Sequence, residues 1–298
     1  MSDDASHIHG IVNDEDQMQY FLYEIELLLH SGTPSTSLSD YGLPMPKPEV
    51  LASLTNRLLL EERNHDRQTL RIEHDSFRSS LHPEQNSIYE HVITSLSLNR
   101  QVLAFVYRHG GTGKTFLWKT IIAKLRSDGN IVLAVAASGI ASLLLPSGRT
   151  AHSRFKIPID LTDESLCYIK KKTQLAQLLT ETSLIVWDEA PMNDRRCFES
   201  LDKSLKDLLG DCSRPFGGKS VLLSGDFRQT LPVKPKASKT GILNSALPRS
   251  YLWPYFNVYK LTENMRLQRP NMDLANRTQV ASFSAWQGGR RGIRHTRR

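Results

Sequence analysis

Arg108-His109-Gly110-Gly111-Thr112-Gly113-Lys114-Thr115 decides the fold. An apolar run, Val102–Tyr107, leads into it and an amphipathic segment, Lys114–Arg126, leads out. A glycine-rich turn between a strand and a helix is where successive backbone N–H groups can cradle a phosphate chain. Gly110, Gly111 and Gly113 allow the tight curl around Thr112. The positive end of the helix opening at Lys114 adds to the attraction. Lys114 is spaced to reach β- and γ-phosphates and the Thr115 hydroxyl to ligate Mg²⁺, so the stretch predicts an ATP site. The full signature, G-x-x-x-x-G-K-[ST], has its first glycine where this chain has Arg108. That side chain sits at the strand-to-loop corner, and whether it weakens nucleotide binding stays open at this level.

Two further strand ends belong with it. Leu184-Ile185-Val186-Trp187-Asp188-Glu189 is an apolar run closing on two carboxylates. In a parallel sheet the carboxyl ends of strands line the ligand crevice, which places Asp188 to hold Mg²⁺ and Glu189 to polarise an attacking water. Leu222-Leu223-Ser224-Gly225-Asp226-Phe227-Arg228-Gln229 is another apolar run with a polar end, where the Gln229 amide could sense a γ-phosphate. Alone, either could be an ordinary solvated strand end; together with the glycine-rich turn they form a set.

Outward from this set the chain divides in three. Residues 1–80 are polar with helical patches, Phe21, Leu22, Ile25, Leu28 and Leu29 recurring at helical spacing, a proline-punctuated loop from Pro34 to Pro48, and a charged helix expected over Leu51–Asp75. Residues 81–270 alternate short apolar runs with amphipathic segments. Strands are expected at Val102–Tyr107, Ile131–Ala136, Leu184–Asp188 and Val221–Ser224, with a fifth candidate at Asn257–Leu261. Helices are expected at Lys114–Arg126, Glu164–Leu179 and Arg195–Leu209. The pattern predicts an α/β fold, a RecA-like P-loop NTPase domain with a parallel sheet flanked by helices, preceded by a small helical segment. Residues 271–298 lose this regularity after Phe283 and Trp286 and end in a Gly/Arg-rich tail.

With 298 residues and 39% hydrophobic content the chain can bury a sizeable core. Its formal net charge is +7, of which Arg290, Arg291, Arg294, Arg297 and Arg298 supply five. The body is only mildly basic, so composition alone does not establish a polyanionic partner. The tail could grip phosphate backbone, but it also fits out-of-frame translation with no selected role. Cys167, Cys197 and Cys212 are too widely spaced for a metal knuckle or redox pair and point to reduced thiols. The acidic start, Met1–Asp16, lacks signal-peptide character, and no apolar run is long enough to span a membrane. A soluble, intracellular, nuclear protein is expected.

The phosphate loop, Trp187-Asp188-Glu189-Ala190-Pro191-Met192, Gly225-Asp226-Phe227-Arg228-Gln229-Thr230-Leu231-Pro232-Val233 and Leu261-Thr262-Glu263-Asn264-Met265-Arg266 occur in an order that resembles the petite integration frequency family of DNA helicases, superfamily one, B type. The wording is most similar to plant and transposon-borne (Helitron-like) members. The resemblance runs over about residues 81–286. It implies that Gln85, in Leu81-His82-Pro83-Glu84-Gln85, contacts adenine, although by its own pattern Gln85 is equally a residue just inside a helix start. It implies that Arg266 lies near the γ-phosphate. It also implies that Ala137-Ser138-Gly139-Ile140-Ala141 and Thr150-Ala151-His152-Ser153 touch single-stranded DNA, with Ser138, Gly139, Thr150 and His152 the candidates. Locally both are ordinary loops.

The activity implied is ATP hydrolysis coupled to 5′-to-3′ translocation on single-stranded DNA, in repair, recombination and telomere maintenance. Because family members continue past the segment matched here, the chain is expected to be the first motor half, impaired by the loss of its partner half. Two other classes fit parts of the sequence. One is a catalytically silent remnant that still binds nucleotide or single-stranded DNA. The other is a small-molecule kinase, against which the Asp188-Glu189 pair and Gln229 argue.

Overall fold

The inner apolar runs become strands buried on both faces, whereas Asn257–Leu261 forms a partly exposed edge strand. The structure, a computed structural model, describes residues 18–19, 21–23, 25–26, 29, 36–47, 56–108, 112–228, 232 and 238–263, with Arg108 described by its backbone only. The strands are β1 (Leu103–Arg108), β2 (Ile131–Ala136), β3 (Arg149–Thr150), β4 (Thr182–Asp188), β5 (Ser220–Gly225) and β6 (Asn257–Leu261). They form one sheet in the order β3-β2-β4-β5-β1-β6, with every neighbouring pair parallel. The fifth candidate strand is therefore real. The two-residue β3 was not expected, because it is too short to show a period.

Within residues 56–263 the α-helices are α1 (Arg57–Arg63), α2 (Arg67–Ser79), α3 (Pro83–Ser97), α4 (Lys114–Ser127), α5 (Gly139–Ser142), α6 (Ala151–Phe155), α7 (Gln174–Glu181), α8 (Arg195–Leu209) and α9 (Lys239–Asn244). Two compact units result. One comprises residues 1–66 with 170–181, the other 67–169 with 182–298. The compositional boundary near residue 80 thus lies apart from the division at 66–67, and α2 belongs with the sheet. Phe77 of α2 sets its ring edge-on to Phe116 of α4, centroids 5.2 Å apart. In the smaller unit Asn56 caps α1 and holds α7: its Oδ1 accepts from the Leu59 N–H, and its Nδ2 donates to Gln174 O at 3.0 Å.

The larger unit builds its core from alternation along the strands. Ala104, Val106, Val132, Ala134, Ala136, Leu184, Val186 and Leu222 face one side, where Ile88 and Val92 of α3 and Leu117, Trp118, Ile121 and Leu125 of α4 cover them. Facing the other side, Trp187 meets Phe198 of α8 at 4.4 Å between centroids, and Phe105 meets Trp253 at 5.1 Å. Fully burying each large side chain of this kind stabilises by about 1.5–3 kcal/mol. The α8 helix starts at an Asp194 cap and stops at Gly210, which takes φ 71.

Two helix expectations are corrected. Leu51–Asp75 is not one helix: in its described part, α1 ends at Arg63 and α2 starts at Arg67. Glu164–Leu179 is helical only from Gln174. Residues 157–169 instead form a strap against α8. Its backbone finds other partners, with Cys167 N–H donating to Ser204 Oγ at 2.9 Å and Tyr168 N–H to Lys156 O at 3.0 Å. Asp163 accepts from Arg196 Nε at 2.7 Å and Arg195 Nη2 at 3.0 Å. A helical period is only a local preference, and these tertiary bonds outweigh it. Among the described residues no helix is long and apolar enough to cross a membrane.

Candidate active site

Parallel pairing brings the ends of β1, β4 and β5 to one edge. Because β5 lies between β1 and β4, its last residues stand between the ends of those two strands. Gly113 caps α4 in the left-handed region at φ 73, a conformation that glycine takes at no steric cost. Lys114 follows as the first residue of α4 and is only 1% exposed.

The Lys114 ammonium donates to Asp188 Oδ1 and, at 3.3 Å, to Glu189 Oε1. Asp188, 3% exposed, also accepts through Oδ1 from Ser224 Oγ at 2.9 Å and from the Glu189 N–H at 2.7 Å. Each ion buried alone would cost several kcal/mol in lost hydration, and the pairing with these hydrogen bonds offsets that cost. Glu189 takes φ 52, left-handed for a residue with a side chain, and opens a 3₁₀ turn, Ala190–Met192. The turn packs Pro191 against Gly225, where an added Cβ would meet Pro191 Cδ at 2.3 Å. Trp187 Nε1 donates to Asn193 Oδ1 at 3.1 Å and fixes the far side of the turn.

Gln85 lies at this site, 2% exposed in the first turn of α3. Its Oε1 accepts from the His82 N–H at 3.0 Å, and its Nε2 donates to Thr112 O at 3.1 Å and Gly113 O at 3.2 Å. The amide is thus bonded into the phosphate loop. Thr115 is the second residue of α4, adjacent to Lys114.

The candidate strand-binding segments sit together farther along the same edge. Ala136 pairs with Thr150 across β2 and β3, so Ser138 and Thr150 leave neighbouring strand ends. Both hydroxyls cap short helices: Ser138 Oγ accepts from Ala141 N–H at 3.2 Å and Thr150 Oγ1 from Ser153 N–H at 3.4 Å. Gly139 opens α5, followed by Ile140 at 82% exposure. His152 turns toward α8, its Nε2 3.8 Å from Cys197 Sγ, and burial pushes its pKa down. Gly110, Gly111, Gln229, Arg266, the side chain of Arg108 and the tail from 271 lie outside the described residues.

Three contributors were missed by sequence reasoning. Ser224 is a polar residue in an otherwise apolar run, and that break in pattern was its signal. Pro191 with Gly225 gave no signal without the strand order. Glu84 gave none either: it accepts from Thr262 N–H at 2.8 Å, a residue 178 positions away.

The donor set suits a hard cation. Asp188 carboxylate and Thr115 hydroxyl are oxygen donors on facing element ends, and among the described residues no group of three or more His, Cys, Asp or Glu forms an all-protein metal cage. Magnesium characteristically takes one or two protein oxygens and completes its shell with water and phosphate, so the residues fit it.

A parallel sheet with a buried lysine at the start of the helix after one strand, an acidic pair ending another and a polar strand end between them is the RecA-like P-loop fold. More narrowly, the chain belongs to the PIF1-like helicase family, whose sequence model matches residues 80–291. It is 30% identical over 166 residues to the ATP-dependent DNA helicase Pif1 of a Psychrobacter species, covering 55% of this chain and 25% of that protein. It is similar to the crystal structure of a Bacteroides Pif1 in complex with ADP-AlF4, with TM-score 0.51, 26% identity, and coverage of 62% of this chain and 43% of that one. A Bacteroides Pif1 bound to ssDNA shares the fold at TM-score 0.55 and 24% identity, over 70% of this chain and 46% of that one. The chain therefore spans a quarter of the length of its curated Psychrobacter relative.

Proposed function

We propose that this chain is an ATP-hydrolysing motor domain of a DNA helicase that works on single-stranded DNA. The observation that supports it is the Lys114 ammonium held against Asp188 and Glu189 at the mouth of the phosphate loop. In this reading Lys114 exchanges Asp188 for phosphate oxygens when ATP binds, and Thr112 and Gly113, with Gly110 and Gly111, offer backbone N–H groups to the phosphates. Asp188 and Thr115 would hold Mg²⁺, which would supply charge neutralisation at the phosphates. Glu189 Oε1, freed from Lys114, accepts the proton of the attacking water as its oxygen bonds to the γ-phosphorus and the bond to ADP breaks. Gln229 and Arg266 stabilise the γ-phosphate side, and Gln85 serves the site through the loop it holds.

Ser138, Gly139, Thr150 and His152 form the single-strand-binding stretch, with the two adjoining strand ends in support. Movement on DNA is 5′-to-3′, and the setting is nuclear DNA repair, recombination and telomere maintenance. A second reading, a nucleotide- or DNA-binding remnant without turnover, is favoured by Arg108 in place of the first loop glycine. The deciding experiment is ATP turnover by the 298-residue chain with and without single-stranded DNA, beside Lys114→Ala. DNA-stimulated turnover that Lys114→Ala abolishes is the expected result. Saturable nucleotide binding with turnover at the variant's level would establish the remnant instead.

A further inference from the structure

The first turn of α3 holds two separate pieces of chain. On one side Gln85 donates to the carbonyls of Thr112 and Gly113 in the phosphate loop. On the other, Glu84 accepts both the N–H and the hydroxyl of Thr262, and His82 Nε2 stands 2.7 Å from Glu263 Oε2. Thr262 and Glu263 directly follow β6. The β1–β6 ladder ends at Arg108 and Leu261, so these contacts begin where the strand pairing stops. A carboxylate in the first turn ordinarily serves its own helix's N–H groups. Glu84 reaches away from its helix instead. Burial alone would push its carboxyl up, but the bonds from Thr262 outweigh it, and with the charge of His82 they hold it below the usual carboxylate range.

We infer that Glu84 is a positioning residue of the nucleotide site: through Thr262 it fixes the chain leaving β6, and through its neighbour Gln85 the same turn fixes the phosphate loop. The turn is then a strut that makes the position of one depend on the other. Pro83 at the start of α3 suits this, because its fixed φ stiffens the turn from which both arms project. A side chain that served only to cap α3 would have no use for a partner just past β6.

The inference rests on the proposed nucleotide site, and the test separates the two. Fluorescent ADP with Mg²⁺ is titrated into the full 298-residue chain, into Glu84→Ala, Glu84→Gln and Thr262→Val, into the double variant Glu84→Ala/Thr262→Val, and into Lys114→Ala. The expected loss for Glu84→Ala is about three- to tenfold in Kd, the scale of an ordinary, solvent-exposed hydrogen bond. Glu84→Gln keeps an acceptor for the Thr262 N–H and recovers part of it. The double variant is no weaker than Glu84→Ala alone, because one shared interaction is removed. Melting temperatures read alongside separate this from simple unfolding, and hydrogen exchange at residues 261–263 slows with ADP in the unsubstituted chain but not in Glu84→Ala. Unchanged affinity in Glu84→Ala, or losses that multiply in the double variant, would overturn the strut while leaving the nucleotide site standing. If the unsubstituted chain binds no better than Lys114→Ala, the nucleotide site itself fails and the strut with it.

Discussion

Lys114 Nζ and Asp188 Oδ1, 74 positions apart in the chain, form an ion pair closed off from water. Breaking a buried pair by removing one partner costs about 3–5 kcal/mol, because the other charge stays buried uncompensated. Lys114→Met is therefore expected to lower stability by about that amount in urea unfolding, as well as removing nucleotide affinity. Adding Asp188→Asn to Lys114→Met recovers at least half of the stability but none of the affinity. If Lys114→Met unfolds at the same urea concentration as the unsubstituted chain, the pair is not the stabilising contact described.

Gln85 spends its amide on the phosphate loop, so Gln85→Ala is expected to weaken ADP and GDP together. The scale is about five- to a hundredfold, corresponding to the roughly 1–3 kcal/mol of an unpaired buried partner. Parallel titrations with the two fluorescent nucleotides check this. A loss confined to ADP would show that the amide leaves the loop and contacts adenine.

Gly225 leaves no room for a side chain beside Pro191. Gly225→Ala pushes the turn carrying Glu189, and overpacking of this kind costs about 1–3 kcal/mol. The expected result is a lower melting temperature and reduced ATP turnover. Because the clash is with the proline ring, Pro191→Ala in the same chain relieves it. A double variant as impaired as Gly225→Ala alone would place the cause elsewhere.

Thiol reactivity should follow burial. Burial pushes Cys167 to about 11 and Cys197 to about 12, so both stay protonated and unreactive at pH 8. Cys212 is exposed. In the folded chain a maleimide or disulfide reagent at pH 8 labels one thiol quickly, and mass spectrometry finds it on Cys212. All three react in denaturant. Raising the pH toward 11 increases the thiolate fraction of Cys167 before that of Cys197. Rapid labelling of Cys197 in the folded chain at pH 8 would contradict its burial against α8.

The inner strands β1, β2, β4 and β5 were legible because a strand buried on both faces is a short, unbroken apolar run, and the start of α4 at Lys114 because a glycine stands just before it. The Glu164–Leu179 expectation failed for the complementary reason. Its apolar spacing is helical, yet the Cys167 N–H donates to Ser204, 37 positions on, and the Asp163 carboxylate pairs with Arg195 and Arg196, 32 and 33 positions on, contacts that no local period reveals.

By itself, then, the sequence determined the parallel α/β class and which apolar runs become strands, Asp188 ending one of them, since periodicity and side-chain type are local properties. Only the tertiary structure decided who meets whom. Strand order set β5 between β1 and β4 and so gave Asp188 its bond from Ser224. The packing of α3 beside β6 gave Glu84 its bond from Thr262. Contacts across such separations depend on how the whole sheet orders its strands, and no window of neighbouring residues contains that information.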